Sequence, residues 1–187
     1  MFLIGVGVVV VLAIILVFVT SYNRLFRFKN AADAELGQIR VAMKKRLDMI
    51  EQLLGAVQSY AKFERGVMEK VTELRSSLMN ASAGSLADIQ RESQSLIGSI
   101  RAVAEAYPDL KTSTTVMKLM EAIVSVEEEI ARQRYTYNNV VQEFNTMIDT
   151  IPTNIVAGML GMKKLEYLQF GDEIENAPKL TGIGPNG

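Results

Sequence analysis

Apolar residues recur along this chain in several distinct patterns. From Phe2 to Ser21 they are continuous: FLIGVGVVVVLAIILVFVTS contains no charge and no proline. Twenty residues at about 1.5 Å each span about 30 Å, the hydrocarbon thickness of a bilayer. In lipid a helix is the one single-segment structure that satisfies its own backbone. A buried core helix would be apolar along one stripe rather than all round. A secretory signal would have a basic start, a shorter apolar run and small residues at its cleavage point; here only Met1 precedes the run, and Val17, Phe18 and Val19 occupy that point. The pattern predicts a transmembrane anchor over residues 1–23.

From Leu36 the apolar positions recur in alternating steps of three and four: Leu36, Ile39, Met43, Arg46, Ile50, Leu53, Val57, Tyr60, Glu64, Val67, Val71, Leu74 and Leu78. Leu47, Leu54, Ala61 and Met68 flank this seam and widen it to the stripe of a bundle helix. Gly37, Gly55 and Gly66 each cost about 1 kcal/mol against alanine, which weakens a helix without ending it. The seam predicts one long helix that stops in the run Asn80 to Ser85, where Ser85 is a candidate N-cap for the next. A second helix, through Leu86, Ile89, Leu96, Ile97, Ile100, Val103 and Ala104, ends before Tyr107-Pro108. A third, restarting at Ser113 or Thr114, carries Val116, Leu119, Ile123, Val126, Ile130, Gln133, Tyr137, Val140, Phe144, Met147 and Ile151 and stops at Pro152. The fold class is therefore all-α: an N-terminal transmembrane helix followed by a long-helix antiparallel bundle. Residues 24–30 form an interfacial segment, 31–170 the bundle and 171–187 a flexible tail.

Three polar residues interrupt the seams: Arg46, Glu64 and Gln133. A buried polar group at such a position can specify register at a cost in stability. Arg46 and Glu64 lie eighteen residues apart, about 27 Å on one helix, so each needs a partner from elsewhere or sits at the stripe's edge and reaches water. The three helices differ in length, so their ends cannot all align. Part of the seam, including Ile39, Met43, Phe144 and Met147, must be covered by the C-terminal segment or by a second subunit, and a homo-oligomer is expected.

Charge orients the anchor. Tyr22, Phe26 and Phe28 interleave with Arg24, Arg27 and Lys29, the mixture of aromatics and cations found at a membrane–water interface. Cations beside a span belong on the cytoplasmic side, which puts the N-terminus outside and the bundle in the cytoplasm of a single-pass cell-membrane protein. Setting these three cations aside leaves 17 basic residues against 21 acidic, a balance of −4, so no basic field for nucleic acid remains. A second membrane contact is suggested between Thr153 and Phe170, where Met159, Leu160 and Leu165 accompany Lys163 and Lys164 as in an interfacial helix. The alternative is that this segment folds back and caps the bundle.

Composition removes most chemistry. The chain has no cysteine and no histidine, which excludes disulfides, thiolate nucleophiles, Cys-based metal sites and the usual general base. The carboxylate groups Glu127-Glu128-Glu129, Glu173 with Glu175, and Glu105 with Asp109 read as solvated faces, because adjacent helical residues diverge. No phosphate-binding glycine motif is present, and no serine is placed on a strained turn beside a lysine. No catalytic, cofactor or metal residues are assigned.

Several stretches resemble the LemA family of membrane-anchored proteins. They are Tyr22-Asn23-Arg24-Leu25, Met43 to Ile50 (MKKRLDMI), Ser59 to Glu64 (SYAKFE), Glu105 to Lys111 (EAYPDLK), Arg134 to Asn145 (RYTYNNVVQEFN) and Ile151 to Ala157 (IPTNIVA). The family pattern has a proline where this chain has Glu51 and a histidine where it has Phe63, and its tryptophan after the span is absent. The resemblance implies a single-span anchor with an α-helical bundle and, as a partner, a membrane protease of the HtpX type, with which some relatives are associated; other relatives are associated with magnetosome membranes. The reading is a non-enzymatic membrane-anchored scaffold that self-associates or organises other membrane proteins, with shaping of the bilayer as a further expected role. The alternative is a signalling, sensor or protease-accessory protein.

Overall fold

A computed structural model describes residues 2–58 and 65–169. Within them the protein is built from helices alone: α1 (Phe2–Val57), α2 (Arg65–Leu78), α3 (Ala83–Ala106), α4 (Pro108–Lys111), α5 (Thr114–Asp149) and α6 (Thr153–Met159). α1 runs 56 residues without interruption, since no proline falls within it. Its apolar first third is exposed on every side. Beyond Ser21 it buries one stripe, Leu25, Ala32, Ile39, Met43, Arg46, Ile50, Leu53 and Val57, at the three-and-four spacing that places residues on one face.

The cross-connections set the topology. Lys45 pairs with Glu129 at 3.4 Å and Arg46 lies 3.8 Å from Glu127, while Leu25 packs against Phe144 and Met147. α5 therefore runs antiparallel to α1 along its whole length beyond the apolar run. Arg75 of α2 reaches back to Asp48 at 2.5 Å and Glu51 at 2.7 Å, and Arg40 donates to the Ala81 carbonyl at 2.6 Å. α2 is thus antiparallel to α1 as well. α3 then turns again and runs parallel to α1, meeting Arg46 at Gln90 and Ser93. Four helices surround the distal core, which is filled by residues such as Leu47, Ile50, Leu74, Leu86, Ile100, Ile123 and Ile130. Nearer the apolar run only the α1–α5 hairpin and the C-terminal segment remain.

Two expectations are corrected. The seam from Leu36 to Leu78 is not one helix: it is unbroken through Glu51, but α1 ends at Val57 and α2 lies back against it. Val71, Leu74 and Leu78 still face the core, so the count of apolar positions continues across a reversal that no proline marks. The N-cap of α3 is Ser82, whose Oγ accepts from the Ser85 backbone amide at 3.3 Å, rather than Ser85. Separately, Ile39, Met43, Phe144 and Met147 are all buried within the one chain. The apolar patch from which a homo-oligomer was expected is covered by α5 and the C-terminal segment.

Candidate functional site

The foot of the bundle is where α1 leaves its apolar run. There Tyr22 stacks on Phe26 with ring centroids 4.6 Å apart, and the Arg27 guanidinium lies 5.4 Å from the centre of the Phe28 ring. Tyr22, Arg24, Arg27 and Lys29 are exposed and Phe26 is half-buried. The opposite side of the helix, Ser21, Leu25, Phe28 and Ala32, is turned inward under α5 and α6.

The chain turns at this level. Thr153 donates to the Met147 carbonyl at 2.6 Å and the Thr150 carbonyl at 3.0 Å, and the Asn154 amide donates to Thr150 at 2.8 Å, so carbonyls left open at the end of α5 find donors. α6 closes with a paired C-terminal motif: Met162 N–H to the Ala157 carbonyl and Gly161 N–H to the Gly158 carbonyl. Gly161 has φ +63°, the left-handed geometry this cap requires and a side chain resists. Val156 and Ala157 face the core, whereas Ile151, Ile155 and Met159, spaced by four, are 80, 60 and 72% exposed.

From Met162 the chain runs extended back up α5, held by two asparagines. Asn145 donates Nδ2 to the Leu165 carbonyl at 2.9 Å and accepts from the Leu165 amide at 2.8 Å. Asn138 does the same for Leu168, at 3.0 and 2.8 Å. The spacing matches: seven residues of helix rise about 10 Å, and three residues of extended chain cover about 10 Å. Between them the Tyr137 hydroxyl donates to the Glu166 carbonyl at 2.9 Å; burial, with Asp33 and Glu166 nearby, pushes that phenol's pKa up. These three side chains supply an extended segment with the partners a neighbouring strand would otherwise give. The sequence reading missed this role. Its signal is the repeat of asparagine one heptad apart, each following an inward-facing aromatic, Tyr137 and Phe144.

Of the residues suggested as a second membrane contact, Met159, Leu160 and Lys163 are exposed. Lys164 pairs with Asp149 at 2.7 Å, and Leu165 packs inward beside Phe144. The segment thus caps the bundle with one face and presents apolar residues with the other. A cleft of about 390 Å³ lies between Phe26, Lys29 and Phe144 on one wall and Leu160 to Leu165 on the other.

The seam residues divide. Arg46 is 0% exposed; Nη2 donates to Ser93 Oγ and, at 3.4 Å, to the Gln90 carbonyl, while Nε and Nη1 have no hydrogen-bond acceptor and the Gln90 side-chain Oε1 has no donor. Burial pushes its pKa down to about 10, against the opposing pull of Glu127. Gln133 is half-buried on α5. Glu64 lies outside the described residues. Among the described residues no group of three or more acidic side chains is placed to hold a metal ion.

Comparison with known proteins agrees with this architecture. The LemA family model matches residues 35–181. Protein LemA of Metamycoplasma hominis is 30% identical over 161 residues, covering 85% of this chain and 73% of that protein. Magnetosome protein MamQ 2 of Paramagnetospirillum magneticum is 23% identical over 88% of this chain and 70% of its own length. Magnetosome protein MamQ of Magnetospirillum gryphiswaldense is 19% identical over 88% and 71%. A long apolar helix joined without a break to an all-helical bundle, and a family match over most of the chain, lead to one conclusion: this is a membrane-anchored helical protein that belongs to the LemA family.

Proposed function

We propose that the protein is a non-enzymatic scaffold, held by a single span with its N-terminus outside and its bundle in the cytoplasm, that works through contacts with other membrane proteins or with copies of itself. The observation that carries this reading is the continuity of α1. One helix passes from the apolar run into the bundle core without a proline or a break, and α5 braces it from the foot upward. A post built this way holds a surface at a fixed distance from the bilayer. Arg24, Arg27 and Lys29 support the orientation through their position beside the span.

Photo-crosslinkers placed at exposed bundle positions, Val124 and Tyr135, test the reading in intact membranes. Discrete adducts with membrane proteins, or with a second copy of the chain, are expected at one or both positions. Recovery of uncrosslinked chain alone from both would overturn the scaffold reading. Turnover of a substrate by the purified protein, lost on a single substitution, would overturn its non-enzymatic part.

A further inference from the structure

The foot of the bundle has a chemistry that the span alone does not explain. α5 descends antiparallel to α1, and the extended segment climbs back along α5, Leu165 opposite Asn145 and Leu168 opposite Asn138. The turn between them is therefore the part of the bundle nearest the apolar run. Its level is fixed by Phe144 and Met147, which share one buried cluster with Leu25, and the chain continues downward from there to Ile151. The exposed stripe Ile151, Ile155 and Met159 consequently sits beside the residues where α1 enters the membrane. No acidic residue occurs from Thr150 to Leu165, and Asp149, at the end of α5, is paired with Lys164.

We propose that α6 lies in the bilayer interface as a second attachment, and that the cleft between Lys29 and Lys163 receives the headgroup of an anionic phospholipid. Large exposed apolar side chains at one edge of a helical domain mark an interaction surface. Here the stripe lies at the end of the bundle where α1 enters its apolar run, and it is followed directly by a cleft that Lys29 and Lys163 line, which commits it to lipid rather than to a protein partner. Lys29 and Lys163 carry no ion pair to a described residue, so their ammonium groups are available to a phosphate. Phe26, Phe144 and Leu160 line the same cleft and suit the glycerol and first methylenes. The inference needs only the membrane anchor and stands whether or not the bundle is a scaffold.

The chain contains no tryptophan, so a single introduced indole reports its own surroundings in the full-length protein. Met159→Trp, reconstituted into vesicles of brominated phosphatidylglycerol, is expected to emit at shorter wavelength than a water-exposed indole and to lose about half or more of its intensity to the bromines. Leu12→Trp in the span should be quenched in any brominated bilayer, and Val124→Trp on distal α5 should not. In mixed vesicles where either phosphatidylglycerol or phosphatidylcholine carries the bromine, Met159→Trp should be quenched about twofold more by the anionic lipid, and adding Lys29→Gln and Lys163→Gln should abolish that preference. A Met159→Trp signal like that of Val124→Trp, with Leu12→Trp quenched, overturns the second attachment. Equal quenching by both lipids overturns the headgroup site. An unquenched Leu12→Trp instead overturns the anchor.

Discussion

Changing Arg46 to methionine should stabilise the protein, although it removes a buried, hydrogen-bonded side chain. The fall in the guanidinium pKa from its ordinary value to about 10 corresponds to about 3 kcal/mol working against the charged form in the folded chain, at 1.36 kcal/mol per pH unit. That penalty already includes the attraction of Glu127. At pH 7 the guanidinium is charged in both folded and unfolded chains, so the penalty applies in full across the neutral range. It would lessen only above pH 10, where the unfolded chain binds the proton more tightly than the folded one and stability rises with pH. Methionine removes the charge and fills most of the volume with a flexible apolar chain. It also leaves little unpaired. Ser93 Oγ keeps the Ile89 and Gln90 carbonyls as acceptors, at 2.6 and 3.0 Å, and Glu127, 37% exposed, turns to water.

The net gain is about 1–3 kcal/mol, the range found when buried charges give way to apolar residues. For a chain of this size that raises Tm by about 2–4 °C per kcal/mol. Circular dichroism at 222 nm during heating of the detergent-solubilised full chain measures it. Glu127→Gln should do the opposite, lowering stability by about 1 kcal/mol because it strands the buried cation. In the Arg46→Met background the same change should have almost no effect. A Tm for Arg46→Met below that of the parent chain would refute the reasoning and mean that the Ser93 and Gln90 contacts outweigh desolvation.

Three further outcomes follow from the same geometry. Asn145→Ala removes two hydrogen bonds and should cost about 1–3 kcal/mol; deuterium exchange at the Leu165 amide should accelerate about 10- to 100-fold, and no acceleration would mean the extended segment is held by packing alone. Tyr137 has a raised pKa, so its stabilisation is present below the phenol's ordinary value of 10.0 and is lost as pH rises through the higher folded value; Tyr137→Phe should flatten the alkaline loss of stability measured above pH 10. Arg75→Ala breaks exposed pairs to Asp48 and Glu51 and should cost under about 1 kcal/mol, with the difference shrinking in 1 M salt, as thermal unfolding at two ionic strengths would show.

Residue type alone located the elements whose signals are local. An unbroken apolar run can only be a helix in lipid, and Pro108 and Pro152 interrupt helices because they must. Arg46 stands out in the seam as a guanidinium between leucines and isoleucines, and its burial follows from the stripe on either side. The reversal between α1 and α2 was invisible for a physical reason. Two amphipathic helices facing one core keep the same three-and-four spacing whether the chain continues or turns back, and Gly55 and Gly66, which lie within α1 and α2, weaken a helix without marking where it ends. The asparagine clamp was hidden differently. Asn138 and Asn145 look like ordinary polar residues at the edge of a helix until an extended segment of matching rise lies beside them, and that match is a property of two segments together.

The cover of the seam follows from element lengths. α1 has 56 residues, about 84 Å of helix, of which about 30 Å belongs to the bilayer. The remaining length, about 54 Å, equals that of α5 with its 36 residues at 1.5 Å each. α2 and α3 are too short to follow the hairpin to its foot, at about 21 and 36 Å for 14 and 24 residues. The gap beneath them is where Leu165 and Leu168 are clamped against α5. Every level of the hairpin is thus covered from within the chain: by α2 and α3 above, by the clamped segment below, and by α6 at the bottom. Contacts with other molecules are therefore not needed to complete the core and fall to the exposed surfaces, the sides and tip of the bundle and the apolar stripe at its foot. A post with a completed core, continuous with its membrane helix, can change what it touches without unfolding, which is what the proposed scaffold role requires.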